Sequence, residues 1–460
     1  MKAITLSTVV ALSGGTLRCG DGALMVTKVN TDSRKIGAGD VFFALAGERF
    51  DAHDFVPQVA AAGAGAVVVG KMDSAWTALS CAVIEVPDTL GALQRLARGY
   101  RALHDPLVIA ITGSNGKTST KDFTRVVMSK KFRVCATAGN LNNHIGLPLT
   151  ILSLAEGDDC GVFELGMNHR GEIAPLADIA RPDAAIITNV GVAHIEHLGT
   201  RENIALEKGD LAVAVPKEGF VVLNANDDFA ASIAARCTAT IVTAGIGRGD
   251  VAATDLKADA DGTSFTLDFG GEKIATHLPV PGEHMVGNAA LAAAAGWKHG
   301  IPPADIAQAL REVKLTGGRL ETKHMGGVTF LDDSYNANPD SMRAGLRTLA
   351  ALGCEGRRVA VLGRMGELGP HAVNEHRALG RFAAEANLGA LFTVGDAAGE
   401  SALITAAAAS ENPSLITHHF PTHSDCAAHL RAFLKAGDVV LLKGSRSAGM
   451  ERVLSHYQAS

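Results

Sequence analysis

An apolar run that breaks into a glycine turn carrying Lys and Thr constrains this chain more than any other feature. Ile109-Ala-Ile-Thr-Gly113-Ser-Asn-Gly116-Lys117-Thr118-Ser119 ends a short hydrophobic strand and opens a helix predicted over Lys117–Lys131. A strand–glycine loop–helix unit belongs to a parallel α/β sheet. Its glycines let the backbone curl so that N–H groups face phosphate oxygens, and the helix N-terminus adds its positive dipole end. Gly113, Ser114, Asn115, Gly116 and Ser119 form this cradle. Lys117 is placed to reach the β- and γ-phosphates, and the Thr118 hydroxyl to ligate Mg²⁺. The loop is shorter than G-x-x-x-x-G-K-[ST], with Ile111 where the first glycine would stand. The plain alternative is a tight strand–helix turn with an exposed lysine.

Length sets the number of such units. At about 150 residues per domain, 460 residues make three. Residues 1–105 read as a small α/β unit, with strands at Thr27–Ser33, Asp40–Ala44, Ala66–Val69 and Ala82–Val86 and helices at Asp54–Ala62 and Thr89–His104. Asp105-Pro106 breaks the chain. Residues 106–315 carry the buried-strand runs Leu107–Thr112, Gly161–Leu165, Ala184–Asn189 and Phe220–Leu223. A polar alternating stretch, Ala252–His277, predicts decorative antiparallel strands, and Gly287–His299 an Ala-rich helix. After Thr316-Gly317-Gly318, residues 316–460 repeat the pattern at Val328–Leu331, Arg358–Leu362, Ala390–Val394 and Asp438–Leu442, with a helix at Ser341–Ala351. The economical solution is a second doubly wound sheet.

Composition excludes several classes. Forty-two basic against 48 acidic side chains leave a net charge of −6, so nothing pulls the chain toward nucleic acid or anionic lipid. Aromatics make up 5%, too few for base-stacking platforms. No apolar stretch approaches the ~20 residues of a membrane span. Seven scattered cysteines with no CxxC pair predict free thiols in a reducing cytoplasm. Lys2 before Ala3–Leu12 mimics an export signal, but Thr5, Ser7 and Thr8 interrupt it and no A-x-A site follows, so a first helix is expected.

A phosphate-bound magnesium takes further ligands from neighbouring strand ends. Glu164, in Gly161-Val-Phe-Glu-Leu-Gly-Met, is a lone carboxylate within an apolar strand, costly to bury without a cation. His194 follows the strand Ala184–Asn189. Alone it reads as a hydrogen-bonded structural histidine, and at a strand's carboxyl end beside a phosphate loop as a ligand.

Together these residues resemble the Mur ligase family, ATP-dependent amide-forming enzymes of peptidoglycan precursor synthesis, through essentially the whole chain. Gly113-Ser-Asn-Gly-Lys-Thr-Ser resembles the family's short phosphate loop. Asn140-Leu-Asn-Asn-His-Ile-Gly resembles its substrate loop, with Asn140, Asn142 and Asn143 toward the UDP-linked substrate. Glu164 and His194 stand where members hold magnesium. Lys208 matches a lysine that several members carry as a carbamate. Gly282-Glu-His-Met-Val-Gly-Asn288 resembles the segment whose Asn approaches the nucleotide.

Three stretches resemble the member that adds D-alanyl-D-alanine to UDP-N-acetylmuramoyl-tripeptide. They are Thr31-Asp-Ser-Arg-Lys with Phe43–Phe55, then Leu331-Asp-Asp-Ser-Tyr-Asn-Ala-Asn-Pro-Asp-Ser-Met342, then Lys443-Gly-Ser-Arg-Ser-Ala-Gly-Met-Glu451. The fold implied is α/β in three domains: a small uridine-binding domain, a central P-loop ATPase-type parallel-sheet domain, and a C-terminal Rossmann-like doubly wound domain. The resemblance further implies ATP and Mg²⁺ as cofactors, a cytoplasmic monomer, and no nucleic-acid partner. The family pattern has an Asp after the glycine of Val361-Leu-Gly363. Arg364 stands there in this chain, so no role carries over to it.

The implied chemistry is activation of the tripeptide carboxylate as an acyl phosphate, then attack by the dipeptide amine. Lys117, Thr118 and Glu164 would serve the γ-phosphate, and His194 with carbamylated Lys208 a second magnesium. Unmodified, Lys208 reads as a solvated helix lysine paired to Glu207 or Asp210. Asn288, Asp333 and Asn336 would contact adenosine, with Asp332-Asp333 reading otherwise as a strand-ending turn. Arg319 would reach the phosphates on closure, or act only as a hinge arginine. Lys443, Ser445 and Arg446 would hold the dipeptide, an Arg fork suiting its carboxylate. Ser33 and Arg34 would hold uracil and Arg49 the diphosphate, while Asp51–Asp54 reads as a turn and helix cap rather than a metal site. The rivals are a folate-type polyglutamylating ligase, a P-loop kinase or regulatory ATPase, and a Rossmann oxidoreductase suggested by Gly363-x-x-Gly366.

Overall fold

The computed structural model describes residues 1–47, 50–395 and 399–459. Their strands build three large sheets, each mainly parallel, beside a two-stranded ribbon of Ile4–Thr5 and Met25–Val26. In the first sheet Thr16–Cys19 and Ala82–Glu85 run antiparallel, and Ala66–Val69, Val41–Phe43 and Val29–Asn30 continue in parallel. The expected strand at 27–33 is shorter. Asp32 accepts from the Arg34 amide and turns the chain into a 3₁₀ helix at Ser33–Lys35. The N-terminal segment gives a helix, Leu6–Ser13, ended by Gly14 in the left-handed region.

The central sheet has nine strands, in the order Glu272–Leu278, Gly262–Phe269, Val251–Asp259, Thr240–Ile246, Phe220–Asn224, Ala184–Ile187, Leu107–Thr112, Cys160–Glu164, Val134–Ala136. Leu107–Thr112 is buried on both faces. Ile109 and Ile111 join one apolar core, and Val108 and Ala110 another, which explains why the sequence shows a continuous hydrophobic run rather than alternation. The stretch expected to be decorative is antiparallel within itself. Yet Val251–Asp259 pairs in parallel with Thr240–Ile246, so it extends the main sheet. The helix Glu283–Lys298 starts a turn before the expected position and buries a run of alanines against the first core.

The third sheet runs Glu321–Met325, Val328–Asp333, Val439–Lys443, Arg358–Leu362, Ala390–Val394, Ile416–Phe420, with only the first strand antiparallel. No helix of the described residues is long and apolar enough to cross a membrane, and all seven cysteines are free.

Candidate active site

Topology places the phosphate loop. Leu107–Thr112 is flanked by Cys160–Glu164 on one side and Ala184–Ile187 on the other, in parallel. Chain connections therefore diverge from its carboxyl end, the switch point where open α/β sheets bind ligands. The loop that follows needs glycine twice. Gly113 (φ 151°) and Gly116 (φ 79°) occupy backbone regions that side chains rarely adopt. A Cβ on Gly113 would overlap the Thr188 hydroxyl, and one on Gly116 would lie 2.5 Å from Asn288 Nδ2. Asn288, from the helix Glu283–Lys298, is thus packed directly on the loop, and it is buried.

The loop's side chains are prearranged. Thr118 Oγ1 donates to Glu164 Oε2 at 2.8 Å, and Asn142 Nδ2 donates to Glu164 Oε1 at 2.8 Å. The buried Glu164 thus has both oxygens held by neutral donors, with no basic side chain bonded to it. Asn142, expected at the UDP-linked substrate, spends its amide on this carboxylate. Asn143 Oδ1 accepts from the Ile145 and Gly146 amides and shapes the loop instead. Asn140 also lines the cavity. Lys117 Nζ donates to the Gly113 carbonyl at 2.8 Å. Loss of water pushes its ammonium below the usual lysine range, opposed by Glu164 and reinforced by Arg319.

Lys208 departs from the solvated-lysine reading. The helix Arg201–Val213 turns it inward until it is 1% exposed. Its neighbours are committed elsewhere. Glu207 accepts from the Gly171, Glu172 and Ile173 amides, and Asp210 pairs with Arg236. Burial, then the positive charge of Lys117, hold the Lys208 amine well below the normal lysine range. His194 has a left-handed backbone (φ 65°). Its Nδ1 lies 2.7 Å from Glu367 Oε2, set off the ideal hydrogen-bond axis, and has no other polar partner.

The third domain closes over the loop. Arg319 Nη2 donates to Thr118 Oγ1 at 2.9 Å while its guanidinium stacks on Tyr335, 4.2 Å from the ring centre. Asn338 Nδ2 donates to Asn115 Oδ1 at 2.7 Å, and the Val192 amide to Asp340 Oδ2 at 3.0 Å. Arg319 is therefore bonded to the first turn after the glycine loop, which a bare hinge or surface arginine would not be. The Asp pair divides its work. Asp332 is buried, accepting from Lys323 and Ser334, while Asp333 faces the cavity and takes Lys443 Nζ at 2.6 Å. Lys443 also donates to the Asn336 carbonyl. It is 3% exposed, so its charge is spent on the strand end at Asp333 rather than left free on the expected dipeptide turn. Ser445 and Arg446 line the cavity on that turn, Arg446 bonded to Glu451. Arg364 lies beside them, with Nη2 on Ser447 Oγ at 3.0 Å.

All of this lines one cavity of about 1770 Å³ between the second and third domains, larger than a single small-molecule site. Among the described residues the first domain contributes nothing to its wall. Ser33 lies on the turn capped by Asp32, and the exposed Arg34 guanidinium is held in a fork by the Asp32 carboxylate. Arg49 lies outside the described residues. Asp51 caps the turn Ala52–Phe55, and His53 Nε2 accepts from Gly70 N, the capped turn that the sequence predicts. Glu367, Tyr335, Asn338 and Asp340 carry no chemical signature of their own. The helix begins at Pro339, two residues before the expected Ser341, with a capping box between Asn338 and Ser341; Asn338-Pro339 is the local signal that could have placed its start.

No three His, Cys, Asp or Glu among the described residues converge to hold a metal. A buried carboxylate bonded to a threonine hydroxyl at a phosphate loop suits Mg²⁺, which keeps waters and binds through one or two carboxylates plus substrate phosphates.

Comparison with known proteins matches this architecture. Models of the Mur ligase family catalytic domain, the Mur ligase middle domain and the Mur ligase glutamate ligase domain match residues 25–101, 111–296 and 318–446. A UDP-N-acetylmuramoyl-tripeptide–D-alanyl-D-alanine ligase of Bacillus subtilis (strain 168) is 37% identical over 427 residues, covering 93% of this chain and 92% of that one. The ligase of the same name from Escherichia coli (strain K12) is 36% identical over 465 residues, covering 100% and 99%. A crystal structure of MurF from Acinetobacter baumannii superposes with a TM-score of 0.90 at 32% identity, covering all of both chains. That of the Thermotoga maritima MurF ligase in complex with ADP gives 0.83 at 28% identity, covering 94% and 97%.

Proposed function

The chain belongs to the Mur ligase family, and from that membership we propose how its cavity works as an ATP-dependent, ADP-forming amide ligase. The reaction joins D-alanyl-D-alanine to UDP-N-acetylmuramoyl-tripeptide and gives the UDP-linked pentapeptide precursor of peptidoglycan. Residues 1–105 form the UDP-binding domain, 106–315 the ATP domain and 316–460 the domain that closes on it. Seven free cysteines support a reducing cytoplasm.

A tripeptide carboxylate oxygen attacks the γ-phosphorus, ADP departs, and an acyl phosphate remains. The dipeptide amine then attacks the acyl carbon, loses a proton, and expels inorganic phosphate as the C–N bond forms. Two anions must meet, so the chain's task is positioning and charge neutralisation. The loop amides of Gly113–Ser119 cradle the phosphates and Lys117 turns from the Gly113 carbonyl to the γ-phosphate. Arg319, already on Thr118, adds a second positive charge from the other side. Asn288, Asp333 and Asn336 flank the nucleoside, with Lys443 bracing Asp333. Ser33, Arg34 and Arg49 bind the uridine diphosphate end, and Asn140, Asn142 and Asn143, in the cavity wall, face the peptide end of the same substrate. Ser445 and Arg446 receive the dipeptide.

Bound Mg²⁺ supplies neutralisation of the phosphate and carboxylate charge. Thr118 and Glu164 would hold one ion, His194 and Lys208 a second if Lys208 is carbamylated. The buried, neutral-leaning Lys208 amine is the form that combines with CO₂, releasing one proton and leaving an anionic carbamate.

The observation that carries this reading is the meeting at Thr118 of Glu164 from the adjacent strand and Arg319 from the third domain. Phosphate release is measured with UDP-N-acetylmuramoyl-tripeptide and D-alanyl-D-alanine, omitting each in turn. Steady release requires both, and steady release without the dipeptide would contradict ligation.

A further inference from the structure

Seven non-glycine residues among those described have positive φ, and two of them face each other across the domain boundary. His194 (φ 65°) comes from the second domain and Glu367 (φ 58°) from the third. A left-handed backbone is strained for a side-chain-bearing residue and persists only where its surroundings hold it. Here the strained backbones bring His194 Nδ1 and Glu367 Oε2 to 2.7 Å. Nδ1 is buried and completes no hydrogen bond in this geometry, and Glu367, in ion-pair range, is the carboxylate placed to accept its proton once the ring aligns. Glu367 itself is half exposed at the cavity edge.

We infer that Glu367 is a positioning residue for His194. It keeps the proton on Nδ1, which leaves the Nε2 lone pair directed into the cavity as a ligand for a divalent cation. A carboxylate on the far nitrogen fixes the tautomer and ring orientation of a metal-binding histidine and raises its basicity. The carboxylate sits on the third domain and the imidazole on the second. The histidine therefore becomes a competent ligand only when the domains are closed, and cation affinity rises with closure. The inference rests on the reading of His194 as a cation ligand and adds what completes that ligand.

The test uses the full chain with a non-hydrolysable ATP analogue and Mn²⁺ as the probe, binding followed by electron paramagnetic resonance. It covers wild type, Glu367→Ala, Glu367→Gln and His194→Ala, with nitrogen NMR of the His194 ring reporting its tautomer. Glu367→Ala is expected to weaken the Mn²⁺ site that includes His194 about 10–100-fold and to mix the tautomers. Glu367→Gln keeps a carbonyl acceptor, so it holds the Nδ1–H tautomer and recovers part of the affinity. Adding Glu367→Ala to His194→Ala costs nothing more. Wild-type Mn²⁺ affinity in Glu367→Ala with weakened binding in His194→Ala overturns the inference and leaves the ligand reading standing. Unchanged binding in His194→Ala overturns both.

Discussion

Gly116→Ala isolates how tightly the phosphate loop is fitted. The native φ of 79° lies in the left-handed region, where an alanine costs about 1–2 kcal/mol. A relaxed free loop would escape that cost and bear it again on gripping phosphate, a factor of about 5–30 in Kd. The added methyl would also stand 2.5 Å from Asn288 Nδ2, where an ordinary contact is about 3.5 Å. The difference, 3.5 − 2.5, forces one group to give way by about 1 Å, and displacement on that scale costs about 100-fold in rate. Calorimetry of ADP binding on a double-mutant cycle separates the two effects. Asn288→Ala removes the obstructing amide, so Gly116→Ala should cost at least about 1 kcal/mol less in that background. Simple additivity of the two changes would refute the argument that Asn288 sets the shape of the loop.

Lys117→Ala should lower kcat at least about 100-fold in the phosphate-release assay while circular dichroism stays native; near-wild-type turnover would remove Lys117 from the chemistry. Arg319→Lys keeps the charge but cannot both stack on Tyr335 and reach Thr118, so kcat should fall far more than ADP affinity, and parallel losses in both would count against a role in the reaction. Asp340→Ala removes the acceptor for the Val192 amide, worth about 1–2 kcal/mol of docking; phosphate released per peptide bond formed should then exceed one, and a ratio held at one would show that this contact does not guard the intermediate. Asp438 is raised by burial but lowered further by Arg357 and the Arg357 and Lys435 amides, so its folded pKa lies below the usual 3.8. Its stabilisation is complete above about pH 5 and lost as pH falls through 3.8 and below. Hydrogen exchange of Val439–Lys443 should show Asp438→Asn opening about 3 kcal/mol more easily at pH 7 and converging with wild type toward pH 3.

What the sequence discloses is what lies close along the chain. The phosphate loop is legible because the strand, glycines, Lys117 and Thr118 occupy consecutive positions. Glu164 is legible because a charge inside an apolar strand demands a partner. Contacts between distant segments leave no such trace. Lys443 looks like a residue of its own turn, and only the parallel pairing of Val439–Lys443 with Val328–Asp333 sets it beside Asp333. Lys208 looks solvated because its helix is charged on several sides, and burial becomes visible only when Glu207 and Asp210 are found bonded elsewhere. The Ala252–His277 alternation tells antiparallel pairing correctly but not that a neighbouring parallel strand continues the sheet. Glu367 sits between Gly366 and the buried Leu368, in a loop whose sequence gives no reason for a positive φ at the glutamate. The reason lies on another domain.

The division of charge between domains bears on why an acyl phosphate survives in this cavity. On the proposed reading the second domain alone offers the loop amides, Lys117, Thr118 and Glu164 to a nucleotide. On that reading the third domain offers Arg319 and the turn at Lys443–Arg446, with no phosphate of its own to act on. With Arg319 on Thr118, and Asn338 and Asp340 bonded to Asn115 and Val192, the proposed reaction would receive charge neutralisation and exclusion of water from the same closure. An arrangement with Arg319 on the phosphate-loop domain would activate the carboxylate in an open, wet cleft, and water would compete with the amine. Placing part of the neutralising charge on the domain that also closes the cavity makes activation conditional on protection. The two are then coupled by the same hydrogen bonds, so a variant that loosens docking should waste ATP as well as slow the reaction.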